Sequence, residues 1–222
     1  MVRPNFVGIE FPPDEVLPRD DARDFALGAQ LSISQGAIMD AVDVARVLNA
    51  AKVKYIIVGA HAVNSYSSKP RATVDVDLIA QFPKKARDAL LAAFPDLEAR
   101  EFPVVIRLLR AGVEAIDIIQ PTSGKLFREA LKHVTTLKID KVIVCLPRVE
   151  ALVAMKFNSM VTLTRQPGDR FQDAADFTRV VQNHAKLDIA LLKQLAELAY
   201  PGASAEIAKM VADIRAGKPI NI

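Results

Sequence analysis

The segment Arg71-Ala72-Thr73-Val74-Asp75-Val76-Asp77-Leu78-Ile79 sets two carboxylates two residues apart in a stretch that otherwise reads as a β-strand. Side chains alternate between the faces of a strand, so Arg71, Thr73, Asp75 and Asp77 are expected on one face and Ala72, Val74, Val76 and Leu78 on the other. Aspartate is among the poorest strand formers. Two carboxylates at this spacing lie roughly 6 to 7 Å apart and repel by about 2 to 3 kcal/mol where water is partly excluded. A cation between them reverses that sign. The competing reading is a solvated edge strand on which the two aspartates are incidental. Against it stands Ala115-Ile116-Asp117-Ile118-Ile119, which puts a third carboxylate in the middle of an apolar strand. An isolated buried carboxylate is costly enough to need a partner or a metal. Three aspartates from two strands form the oxygen-rich site that Mg²⁺ or Mn²⁺ favours.

The rest of the chain supplies a frame for these strands. Helical spacing of Ile38, Ala41, Val42, Ala45 and Leu48 predicts an amphipathic helix ending before Lys52. The apolar run Tyr55 to Val58 reads as a central strand buried on both faces, stopped by Gly59, with a helix starting near His61. After the strand carrying Asp75 and Asp77, a helix is expected over Ala86 to Phe94. Val104 to Leu109 and Val113 to Ile119 read as a hairpin turning at Ala111-Gly112, and further strands are expected at Thr135 to Ile139 and Val142 to Leu146. Beyond Pro147 the pattern turns helical, near 148 to 161, 170 to 183, 187 to 199 and 203 to 215. The expected fold class is therefore α/β (α+β), a mixed β-sheet flanked by helices (36–147) followed by a helical C-terminal region (148–222). Residues 1–35, with Pro4, Pro12, Pro13 and Pro18 and no sustained periodicity, are expected to form an irregular arm.

Composition excludes several classes. The balance of 29 basic and 26 acidic residues, net charge +3, is too mild to argue for nucleic acid by itself. Three Tyr and no Trp leave little for stacking single-stranded bases. The amino terminus mixes prolines and charges where a secretory signal needs an apolar stretch, and no segment reaches the roughly twenty apolar residues that cross a bilayer. A cytoplasmic protein is expected. The one cysteine, Cys145, lies inside Val142 to Leu146 and reads as a small buried hydrophobe.

Beside the aspartates stands Val58-Gly59-Ala60-His61, a strand end, a glycine and a helix start. Backbone N–H groups at such a turn favour phosphate, although most glycines of this kind serve only turn geometry or packing. With these residues in view, the block Gly59 to Ile79, GAHAVNSYSSKPRATVDVDLI, resembles the signature of polymerase-β-type nucleotidyltransferases, and among them the AbiEii-like and related small bacterial members. There a Gly-Gly or Gly-Ser turn precedes R-x-T-x-D-h-D-h, with h apolar. A later h-D-h strand supplies the third acid, matched by Ile116-Asp117-Ile118. A lysine-bearing helix followed by R-x-x-D-x-x-D is matched by Lys156 and then Arg170, Asp173 and Asp176. The resemblance spans roughly residues 38 to 183. Ala60 departs from it, since the family usually has Gly or Ser there and a hydroxyl contact to phosphate is lost.

Lys156 falls on the apolar stripe of Val149, Leu152, Val153 and Met160, where a lysine must meet an anion or snorkel out. Arg170, Asp173 and Asp176 are equally readable as a solvated helix face. His61 lies at the phosphate turn, while His133 and His184 show no metal-ligand spacing.

The resemblance implies a nucleotidyltransferase: Asp75 and Asp77 bind Mg²⁺ or Mn²⁺ with the triphosphate of an NTP, and Asp117 completes a second metal position or takes a proton. It further implies phosphate contacts from Gly59, Ala60, Arg71, Thr73 and Lys156, and transfer of NMP to a hydroxyl of RNA, protein or a small molecule. Such relatives include toxins of toxin-antitoxin pairs, so an antitoxin partner is among the expectations. The rival readings are a catalytically weak nucleotidyltransferase-like binding module and a metal-dependent phosphohydrolase.

Overall fold

The computed structural model describes residues 39–220. The arm expected over 1–35 and the first residues of the expected opening helix lie outside this range. Helix α1 runs Ala41–Ala50, opened by Asp40, whose carboxylate accepts from the Val42 N–H at 2.7 Å. That cap satisfies one of the helix's orphan donors and fixes the start. The chain then enters β1 (Tyr55–Ile57) and α2 (Gly59–Ser65), followed by β2 (Val76–Ala80) and α3 (Pro83–Ala93). Strands β3 (Leu97–Glu101), β4 (Val105–Arg110) and β5 (Val113–Ile119) come next, then a 3₁₀ turn (Pro121–Ser123) and α4 (Lys125–Ala130). The hairpin β6 (Val134–Ile139) and β7 (Val142–Pro147) leads into α5 (Val149–Val161), α6 (Pro167–Asn183), α7 (Ile189–Glu197) and α8 (Ala203–Arg215).

Five strands form one mixed sheet in the order β1-β2-β5-β4-β3, with only β2 and β5 parallel. The fold class is as expected, a mixed sheet flanked by helices. Strand β1 stands at the edge of that sheet, not at its centre. Its three residues are nevertheless buried, because β7 packs against it and α1 packs on β7. Tyr55 hydroxyl and Asn49 both bond the Ile143 carbonyl, tying β1 and α1 to β7. Helix α3 lies across β2, β4 and β5, burying Ala86 and Leu90. The helical region packs α5 against α6 and α7, with Phe157 and Phe177 fully buried between them. No helix among the described residues is long and apolar enough to cross a membrane.

The hairpin turn falls where expected, with Ala111 and Gly112 both at positive φ, as a two-residue primed turn requires. Strand β3 and helix α4 were not legible. The sequence of β3, Leu-Glu-Ala-Arg-Glu, buries only Leu97, so an edge strand exposed along its length leaves no apolar alternation to read. The expected strand Arg71 to Ile79 is shorter than its pattern. Residues 71–75 are irregular, and regular pairing begins only at Val76.

Candidate active site

The loop before β2 is irregular because side chains capture its backbone. Asn64 of α2, fully buried, donates to the Arg71 carbonyl at 2.8 Å and accepts from the Arg71 N–H at 2.9 Å. The Arg71 guanidinium meets Asp176 of α6 through two contacts of 3.3 Å. Farther along, Thr73 hydroxyl donates to the Asp75 carboxylate at 2.9 Å. Arg71 and Thr73 thus orient the aspartate-bearing segment, and they do so from a loop, not from a shared strand face.

Strands β2 and β5 run parallel with Asp77 in register with Asp117, so the two side chains emerge on the same face of neighbouring strands. On the far side of β5, Arg107 of β4 is in register with Asp117. One row across three strands therefore reads Asp77, Asp117, Arg107. The arginine grips Asp117 bidentately, Nε to Oδ1 at 2.9 Å and an η nitrogen to Oδ2 at 2.8 Å. It also pairs with Glu114, and its guanidinium lies 6.0 Å from the centre of the Phe102 ring. The hydrogen bonds to Asp117 raise the Arg107 pKa further above its ordinary value.

Asp77 meets the opposite environment. Burial pushes its carboxyl up to about 7, and the charges of Asp75 and Asp117 add to that rise against the pull of Lys156 and Arg71. Its carboxylate lies directly on Gly59, which holds φ +59°; a Cβ there would meet Asp77 Oδ2 at 1.9 Å. The Val58 N–H donates to the Asp77 carbonyl at 2.8 Å, completing the junction of β1, α2 and β2. Gly59 is thus required by contact with a carboxylate as well as by turn geometry. His61, buried on α2, is lowered to about 4 by burial, partly offset by the nearby Asp75 charge. It is neutral at physiological pH.

A pocket of about 110 Å³ opens over Asp77 and Gly59, with Lys156, Ser159, Arg165 and Asp173 on its other wall. The space has room for a phosphate group. Lys156 is buried and joins two carboxylates of α6, Asp173 Oδ1 and Asp176 Oδ2, each at 2.9 Å. Arg165 adds a contact to Asp173 at 2.9 Å. Asp173 and Asp176 are not a solvated helix face: 3% and 0% exposed, they anchor a buried ionic network. Arg170 stands apart from it, donating to the Met160 carbonyl. His184 packs edge-on against Tyr66 and contacts its carbonyl, which is a packing role. His133 lies beside Glu129 on the surface side of α4.

The structure brings Asp75, Asp77, Asp117, Gly59 and Lys156 to one locality. The donor chemistry there suits a hard divalent cation at Asp75 and Asp77, and the glycine cradle lets the Asp77 carboxylate sit where a larger residue would displace it. Among the described residues, no group of three His, Cys, Asp or Glu side chains is arranged to hold a metal. Both oxygens of Asp117 are taken by Arg107. Sequence reasoning missed Arg107, Asn64 and Arg165. A hairpin turning at Ala111-Gly112 places Arg110 opposite Val113 and Leu109 opposite Glu114, but a register shift between Leu108 and Leu109 advances the pairing by one, so Arg107 meets Asp117 and not Ile116. Turn chemistry alone cannot foretell that shift.

No protein-family model matches the sequence, and no curated protein matches it. Solved structures do. An antigenic nucleotidyltransferase-like protein from Paracoccidioides brasiliensis superposes with a TM-score of 0.51 at 19% identity, covering 81% of this chain and 92% of that one. The antibiotic-resistance factor ANT(2'')-Ia gives 0.42 at 13% identity over 79% of this chain and 95% of that one. A Megavirus polyadenylate synthase gives 0.44 at 12% identity, covering 82% of this chain and 41% of that one. The mixed sheet and its helices are therefore similar to a nucleotidyltransferase fold.

Proposed function

We propose that this chain is a metal-dependent nucleotidyltransferase that moves NMP from an NTP to a hydroxyl acceptor and releases pyrophosphate. The observation that carries the reading is the junction of Asp77 with Gly59, with Asp117 in register one strand away. Asp75 and Asp77 would hold a divalent ion, Mg²⁺ or Mn²⁺, which supplies charge neutralisation and alignment of the triphosphate. Gly59 and Ala60 present backbone to the phosphates, and Lys156 and Arg165 offset their charge from the opposite wall. Arg71 and Thr73 hold the loop so that Asp75 and Asp77 keep their spacing. Asp117 adds the third negative charge of the site, and its access to a second ion or to the acceptor's proton depends on Arg107. The motif residues favour placement beside the AbiEii-like enzymes, with RNA, protein or a small molecule as acceptor and an antitoxin as partner.

The test incubates the full chain with Mg²⁺ and each labelled NTP, and separates pyrophosphate from orthophosphate. Metal-dependent pyrophosphate release, lost in Asp77→Asn while circular dichroism is unchanged, is the expected result. Orthophosphate release would instead identify a phosphohydrolase. The absence of any metal-dependent NTP affinity by calorimetry would leave a binding module and reject the enzyme.

A further inference from the structure

Three carboxylates crowd one locality, Asp77 and Asp117 on one face of the sheet and Asp75 on the loop beside it, yet they are compensated unequally. Asp75 receives a hydroxyl from Thr73, and Asp77 opens on the pocket. Asp117 is already paired with a cation. Its partner Arg107 is the cross-strand neighbour of Asp117, so it needs no long reach and no loop to arrive there. Both carboxylate oxygens are engaged, at 2.9 and 2.8 Å. The guanidinium is itself held from three sides, by Asp117, by Glu114 and by the face of Phe102. The pair is partly buried, with side-chain exposures of 29% for Arg107 and 13% for Asp117. A bidentate fork of this kind is among the stronger protein ion pairs, and a lysine cannot reproduce its geometry.

We infer that Arg107 is the resident second cation of this site: the resting protein binds one divalent ion, at Asp75 and Asp77, and Asp117 accepts one only when Arg107 is removed. This rests on the metal reading of Asp75 and Asp77 given above, and adds to it a fixed count of ions and the residue that sets it. An incoming ion at Asp117 has to strip both of its oxygens from the guanidinium and leave Arg107 facing Phe102 with Glu114 as its remaining ion-pair partner among the described residues. Among the described residues neither Asp75 nor Asp77 is held by an arginine fork, so an ion there meets no such competitor. A positive charge built into the sheet at that point also offsets charge on a bound triphosphate without being recruited from solution.

The experiment counts Mn²⁺ bound to the full-length protein near neutral pH, without nucleotide, from the electron paramagnetic resonance signal of free Mn²⁺. One ion is expected for the wild type, two for Arg107→Gln, and one again for Arg107→Gln combined with Asp117→Asn. Two ions in the wild type, or one in both the wild type and Arg107→Gln, overturn the proposal while leaving the metal reading of Asp75 and Asp77 standing. No ion in either protein rejects that metal reading and this proposal together. Arg107→Lys, which keeps the charge and loses the fork, serves where the glutamine variant does not fold; it should gain a second ion of weaker affinity than the first, and no gain overturns the proposal.

Discussion

Replacing Gly59 by alanine is the sharpest test of the site's geometry. Two separable costs apply. At φ +59° an L-residue is strained by about 1 to 2 kcal/mol. The new Cβ would also lie 1.9 Å from Asp77 Oδ2, 2.7 Å from its Cγ and 2.9 Å from its Cβ, so the carboxylate or the β1–α2 junction must move. Forcing one carbon into a packed site typically costs a further 1 to 3 kcal/mol, and the two together give about 2 to 5 kcal/mol. Gly112→Ala supplies the control, because Gly112 also has positive φ, +81°, but nothing lies within 4 Å of its would-be Cβ. Urea denaturation of both variants at unchanged slope isolates the collision from the strain. Gly59→Ala should lose more stability than Gly112→Ala and should also weaken Mn²⁺ binding about tenfold or more, since Asp77 is displaced. Equal stability losses, with Mn²⁺ affinity unchanged, would show that the glycine serves its turn and nothing else.

The ionic network under the pocket makes a second prediction. Burial pushes the Asp176 carboxyl up, but Lys156 and then Arg71 outweigh it and hold the group below its ordinary 3.8. A depressed carboxylate contributes stability above its unfolded pKa and loses it as pH falls through the folded value, so Asp176→Asn should flatten the acid limb of the stability curve below about pH 4. Lys156→Met, which leaves Asp173 and Asp176 buried with one cation fewer, should cost about 3 to 5 kcal/mol in urea melts, and a loss under about 1 kcal/mol would contradict the network. Burial pushes the Cys145 thiol up to about 12, so the native protein should resist thiol reagents at mildly alkaline pH and react only as fast as it unfolds.

Legibility in the sequence followed burial. Strands β4 to β7 and helices α5 to α8 bury one or both faces, and their apolar periods announced them within a few residues. Strand β3 exposes four of its five residues, so it carried no period at all. The alternation from Arg71 to Asp75 looked like a strand and is a loop, because Asn64 and Asp176 capture that segment through hydrogen bonds no local pattern encodes. Asp117 was conspicuous as a charge in an apolar run, but its partner was hidden by a one-residue register shift. Lys156 showed the converse: its place on an apolar stripe demanded an anion, and the choice between phosphate and protein carboxylate depended on how α6 packs.

That packing also bears on how the chain is divided. The sequence splits at Pro147 into a mixed half and a helical half, yet the pocket over Asp77 is walled by both. Val58, Gly59 and Asp77 form one wall, and Lys156, Ser159 and Arg165 form the other. The two halves are joined by charge as well as by shape. Asp176 of α6 bonds Arg71 at one end of the loop, while Asp75 and Asp77 lie at the other, only four and six residues along. A shift of α6 relative to α5 would therefore pull on Arg71 and, through the loop, on the segment that carries Asp75 and Asp77. The helical region is in this sense a support of the acidic site: the same lysine that lines the pocket fixes the carboxylate that fixes the loop.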